Sequence, residues 1–196
     1  MRETVLRATV TELVEQGPVN LSLEAIARRA GVNKATLYRR WGGRDGLVLD
    51  AVEWYGVAQA EVPDTGGFDE DLRRWARSIQ SMLNHPTASA LVVAVFTGDR
   101  SSTRPLRQRF WQSRLTLVRP LVERAIGRGE IPADTDVDEV VRHLGAPLYY
   151  RYLVLAEPVT PDAADLAAAV TAEAARGGVF GTGRRDGPIQ VSTTEA

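Results

Sequence analysis

Cysteine is absent from the 196 residues, and histidine occurs only as His85 and His143. Disulfides and thiolate metal centres are therefore excluded. A nucleophile–base pair would have to join a serine or threonine to one of two histidines on different predicted helices. No G-x-S-x-G elbow, P-loop or H-E-x-x-H run is present. The D-x-D spacing of Asp136 and Asp138 is better explained by helix capping than by a metal. No enzyme, metal site or cofactor is expected. No apolar run reaches the length of a membrane span and no signal peptide opens the chain, so a cytoplasmic protein is expected. The last absence is local. Between residues 25 and 44 there is no acidic side chain, against six basic ones: Arg28, Arg29, Lys34, Arg39, Arg40 and Arg44.

That basic stretch reads as two short helices joined by a tight turn. Leu23, Ile26, Ala27 and Ala30 recur at helical spacing, with Ser22 placed to cap the run and Gly31 to end it. Asn33 is a second N-cap, Leu37 and Trp41 form a narrow apolar stripe, and Gly42-Gly43 stops the helix. This is a helix–turn–helix pattern, whose second helix can enter the major groove of DNA. A cationic patch attracts phosphates whatever the base sequence. A basic run alone is equally a solvated hairpin; the caps, the glycine turn and the stripe together favour the reading head.

The rest of the chain is also helical by pattern. Leu6, Val10, Leu13 and Val14 give the first helix, about residues 3–16, one apolar face, and Asp45 is placed to cap a fourth at about 45–60. Val62–Phe68 is a linker by composition, followed by a periodic helix over about 69–84. Residues 88–97 are apolar almost all round, which allows a buried helix or a buried strand. Helix is the reading, because no second strand exists to pair with it. Helices over about 103–128 (stripe from Leu106 to Ala125), 136–156 and 161–176 complete the chain, with Pro120 and Pro147 inside two of them. The expectation is an all-α fold of about nine helices: a head over 1–46, a helical bundle over 47–178 and a disordered tail over 179–196.

Residues 4–48 resemble the DNA-binding domain of the TetR family of transcriptional regulators. The resemblance rests on Ala8, Leu13, Gly17, Ile26-Ala27, Ala30-Gly31-Val32, Lys34, Thr36-Leu37-Tyr38-Arg39, Trp41 and Leu47. Arg44 stands where the family usually has lysine, and still places a permanent cation there. The first helix begins almost at Met1, so any minor-groove arm is very short or the natural start lies upstream. The resemblance implies DNA contacts by Ser22, Lys34, Thr36, Tyr38, Arg39, Arg40 and Arg44, with Lys34 reading base edges. Arg128-Gly129-Glu130, Gly145 and Pro147-Leu148-Tyr149-Tyr150-Arg151 resemble the ligand-binding and dimerisation domain of one large branch of the family.

Three further expectations follow. One head reads few base pairs, so a homodimer on a palindromic operator is expected, with half-sites about 34–36 Å apart or a multiple of that. Its interface is expected on the last two helices, at Leu144, Leu148, Tyr152, Leu155, Leu166 and Val170. The resemblance implies a small-molecule pocket, for which the large side chains Trp75, Ile79, Met82, Phe96, Trp111 and Tyr149 are candidates, with Arg114 and His143 as polar anchors. Each of these could equally fill the core. The functional reading is a repressor released from DNA by an unidentified ligand. The alternative is a helical protein whose basic head binds RNA or an acidic protein, although A-form RNA hides its major groove.

Overall fold

The computed structural model describes residues 1–57, 61–96 and 104–184. Most of the expected tail and the side chain of Leu106 fall outside the described residues. Within them the chain forms nine α-helices: α1 (Arg2–Gln16), α2 (Leu23–Ala30), α3 (Lys34–Trp41), α4 (Arg44–Val57), α5 (Phe68–Asn84), α6 (Pro86–Phe96), α7 (Arg104–Gly127), α8 (Val137–Leu153) and α9 (Pro161–Arg176). The apolar run over 88–97 is helical as far as Phe96. Helix suits a run that is buried on several sides and has no strand partner.

Helix boundaries follow the capping chemistry. Ser22 Oγ accepts from Ala25 N at 3.3 Å, and Asn33 Oδ1 accepts from Ala35 N at 2.8 Å. Asp136 Oδ1 accepts from Asp138 N at 2.9 Å and Glu139 N at 3.2 Å, so the D-x-D spacing is indeed a cap. Gly31 and Gly42 take the left-handed conformation that ends α2 and α3. Helix α4 starts at Arg44, which puts Asp45 in its first turn rather than ahead of it. On α1 the buried side is wider than the expected stripe. Val5, Ala8, Thr9 and Glu12 are buried with Leu6, Val10 and Leu13, while Val14 is exposed. The extra burial arises because α1 is covered by α2, α4 and α6.

Helices α1–α4 pack on one another and α5–α9 likewise, with α1 and α4 resting on α6 and α4 also on α7. The stretch between α4 and α5 is anchored by polar groups. Buried Asp71 accepts from Thr65 N at 2.7 Å and from Thr65 Oγ1 at 2.8 Å. Glu130, just beyond α7, accepts from Phe68 N at 2.7 Å and pairs with Arg128. The Arg128-Gly129-Glu130 run thus helps fix the start of α5. Burial alone would raise the Glu130 carboxyl, but the hydrogen bonds from Arg128 and Phe68 N outweigh it and hold it below its ordinary value.

The expected tail begins too early. Phe180 is buried, its carbonyl accepts from Asp136 N at 2.7 Å, and Thr182 N donates to Asp134 O at 3.0 Å. Residues 179–184 therefore close over the loop before α8. A lone phenylalanine among glycines was the sign that this stretch could be anchored.

At the junction of α3 and α4, a Cβ on Gly46 would overlap the carbonyl oxygen of Trp41. Only glycine lets the first turn of α4 cross the end of α3 so closely. Gly46→Ala is expected to cost about 1–3 kcal/mol, read as a lower midpoint in denaturant unfolding with an unchanged m-value.

Candidate nucleic-acid interface and helical cavity

The head presents α3 along its outer side. Leu37 is fully buried beneath it, while Tyr38, Arg39 and Arg40 are exposed. The six cations of the basic stretch divide by partner. Arg29 pairs with Glu15 and Glu12 and so clamps α2 onto α1. Lys34 pairs with exposed Glu24 and lies 5.7 Å from the centre of the Tyr38 ring. Arg44 donates to the carbonyl of Pro18, which ties the start of α4 to the turn after α1. Arg28, Arg39 and Arg40 are exposed and form no ion pair among the described residues, although Arg40 lies 5.3 Å from the centre of the Trp41 ring and near Asp50. Ser22 and Thr36 are half-buried, and the Ser22 hydroxyl is engaged in capping. The surface offered to an anion is thus centred on Tyr38, Arg39 and Arg40, with Arg28 beside the expected set. Lys34 must exchange Glu24 for any new partner.

Asp50 of α4 holds this surface in place. Its Oδ2 accepts from Trp41 Nε1 at 2.8 Å and from Arg2 Nε at 3.1 Å, and a second bond joins Arg2 to Oδ1. One carboxylate therefore links α1, α3 and α4. Partial burial pushes the Asp50 carboxyl up, but the bonds from Arg2 and Trp41 and the nearby charges of Arg2 and Arg40 outweigh it. The net shift is downward.

Below the head lies a cavity with about 100 Å³ of free space. Its walls come from five helices: Val52 and Tyr55 of α4, Trp75, Ile79 and Met82 of α5, Leu91 and Val92 of α6, Trp111 and Arg114 of α7, and Gly145 and Tyr149 of α8. Two expected members lie elsewhere. Phe96 backs the aromatic wall, 5.9 Å from the Phe110 ring centre and 6.4 Å from that of Tyr149. His143 is exposed on the far side of α8, its ring 4.7 Å from that of Phe180 and its Nδ1 2.9 Å from Glu139 O. It sits two positions from Val141 and Gly145, which turns it away from the cavity. Val52 and Tyr55 were not expected; they differ from Asp50 by about 200° and 140° around the helix.

The outer faces of α8 and α9 are partly apolar. Leu166 and Val170 are exposed by 62% and 61%, one turn apart on α9, and Leu155 lies exposed just beyond α8. Tyr152 is half-buried. Leu144 and Leu148 are 1% and 0% exposed. They are core of this chain and cannot form an interface, because α8 packs with that side against α5, α7 and α9.

Residues 5–51 match the family described as "Bacterial regulatory proteins, tetR family", and residues 62–173 match "Tetracyclin repressor-like, C-terminal domain". The chain is 37% identical over 145 residues to the HTH-type transcriptional regulator AqdR of Rhodococcus erythropolis, covering 74% of this chain and 70% of that protein. It is 28% identical over 147 residues to the DNA-binding transcriptional repressor TetR of Mycobacteroides abscessus, covering 71% and 74%. Among solved structures it superposes on the TetR family transcription regulator SCO0332 with a TM-score of 0.74 and 26% identity, over 88% of this chain and 96% of that one.

Replacing Asp50 by alanine leaves a half-buried indole N–H and an arginine without their acceptor. It should cost about 1–2 kcal/mol at neutral pH. Because the folded carboxyl titrates below its unfolded value, this contribution is complete above the unfolded pKa and disappears as pH falls through the folded one. The melting-temperature gap between parent and variant should therefore close as pH falls from about 5 to below 3, a test made by calorimetry.

Proposed function

Because the chain belongs to the TetR family of transcriptional regulators, we propose that it is a repressor that binds palindromic operator DNA as a homodimer and releases it when a small molecule enters the cavity. One observation carries this reading. Helix α4 contributes Val52 and Tyr55 to the cavity wall and Asp50, on its opposite side, to the contact that positions α3. A ligand that displaces α4 therefore acts on a helix already bonded to Trp41 and Arg2. DNA fixes the distance between two heads, so it favours one placement of α4. A ligand that prefers another placement lowers operator affinity, and DNA lowers ligand affinity by the same factor.

For the DNA contacts, the reading uses Tyr38, Arg39 and Arg40, with Arg44 and Lys34 at the rims. Tyr38 can give its hydroxyl to a phosphate and its ring to a thymine methyl. Lys34 stays assigned to base edges, reached after it parts from Glu24, an exposed pair of little net stability. The dimer surface in this reading is Leu166 and Val170 with Leu155 and Tyr152. An exposed apolar patch on paired helices is unusual for a monomer.

Three measurements test this reading. Titration of duplex DNA from upstream of its own gene, against RNA of matched length, should show binding to the duplex alone; equal affinity for RNA would favour the alternative reading of the basic head. Arg39→Ala and Arg40→Ala should each lower the slope of log affinity against log salt by about 1. A slope unchanged in both variants removes them from the phosphate contacts. Separately, Val170→Asp should convert the dimer to monomer in sedimentation at micromolar concentration and weaken operator binding by at least about tenfold. A parent chain that sediments as a monomer refutes the dimer.

A further inference from the structure

Among the described residues, the cavity wall holds a charge without an ion-pair partner. Arg114 of α7 stands in its wall, and its Nε is shielded from solvent with no hydrogen-bond partner. No ion pair reaches it among the described residues, whereas Arg2, Arg29, Arg77 and Arg128 each meet a carboxylate. Its guanidinium carbon lies 5.2 Å from the centre of the Phe110 ring. That contact offsets part of the desolvation but offers no acceptor to a directional donor. Arginine cannot escape by losing its proton. An unpaired cation beside apolar walls is therefore a site that an arriving anion improves.

Resting on the ligand-binding reading above, we propose that the cavity takes a small apolar or aromatic molecule bearing a single carboxylate, which Arg114 holds. The fork of donors on a guanidinium matches the two oxygens of a carboxylate. Only one charge fits: Arg114 is the one cation among the described lining residues, and Glu61 at the cavity edge repels a second negative group. Trp75, Trp111 and Tyr149 offer aromatic surface to the remainder, and about 100 Å³ suits a single ring or a short chain. Burial pushes the Tyr149 phenol up to about 12, despite the charge of Arg114, so it remains protonated and able to donate at neutral pH.

Calorimetric titration of the intact chain with benzoate and with benzamide, its neutral isostere, tests the proposal. Benzoate should bind about tenfold tighter or better. In Arg114→Met the two affinities should come within about threefold, chiefly by loss of benzoate binding, while Arg114→Lys should retain part of the preference. Equal binding of the two probes to the parent chain overturns the proposal without needing any variant. So does absence of benzoate binding, or an undiminished preference in Arg114→Met. Operator DNA titrated in parallel separates the two readings. Benzoate that binds through Arg114 yet leaves operator affinity unchanged supports the anion site and counts against release. A neutral probe that binds better than benzoate and releases DNA does the reverse.

Discussion

A single carboxylate sets the geometry on which the reading head depends. Asp50 receives the Trp41 indole from α3 and the Arg2 guanidinium from α1, and it does so from α4. These groups are partly exposed, so their contribution to stability is modest. Their value is directional. Helix α3 has only eight residues and one fully buried apolar side chain, Leu37. So short a helix has little burial to fix its rotation, and the indole bond supplies a second point. Gly46 supplies a third, by letting α4 cross directly over the Trp41 carbonyl.

The sequence made the local features readable, and the reasons are physical. Caps at Ser22, Asn33 and Asp136 and left-handed glycines at Gly31 and Gly42 act over three or four residues, so their code is short-range. Contacts made across the fold were not readable in the same way. Nothing near Asp50 in sequence distinguishes it from a solvated helix residue; its partners lie 9 and 48 positions away. Arg29 counts in the sequence only as one of six cations, because its partner Glu15 lies 14 residues back, on another helix. Stripes posed a different difficulty. Leu144 and Leu148 belong to an apolar face, but periodicity shows only that a face is covered, not whether the covering surface is this chain or another copy. The cavity was legible as a collection of large side chains on separate helices. Phe96 and His143 lie outside the described cavity wall, a matter of orientation that depends on how each helix is rotated in the bundle.

The bundle and the head share α4, and its two sides differ in chemistry. The side toward α3 and α1 is held by hydrogen bonds with fixed lengths and directions. The side toward the cavity presents Val52 and Tyr55, and nearby Glu53 makes only a largely exposed ion pair with Arg109 of α7 at 3.2 Å, so these contacts tolerate small displacements. A shift too small to open the apolar side is large enough to lengthen a 2.8 Å bond to Trp41. Directional and non-directional packing on one helix thus give different sensitivities to the same motion.

That division also partitions where the pocket is free to diverge. Walls contributed by α5, α7 and α8 can be resculpted by substitution without touching any group bonded to the reading helix. Changes at Val52 or Tyr55 cannot, since they alter the seating of the helix that carries Asp50. Under the ligand release proposed above, a lineage acquiring a new chemical signal would find its neutral substitutions on the bundle side of the cavity. Those on α4 would change chemical selectivity and promoter occupancy together.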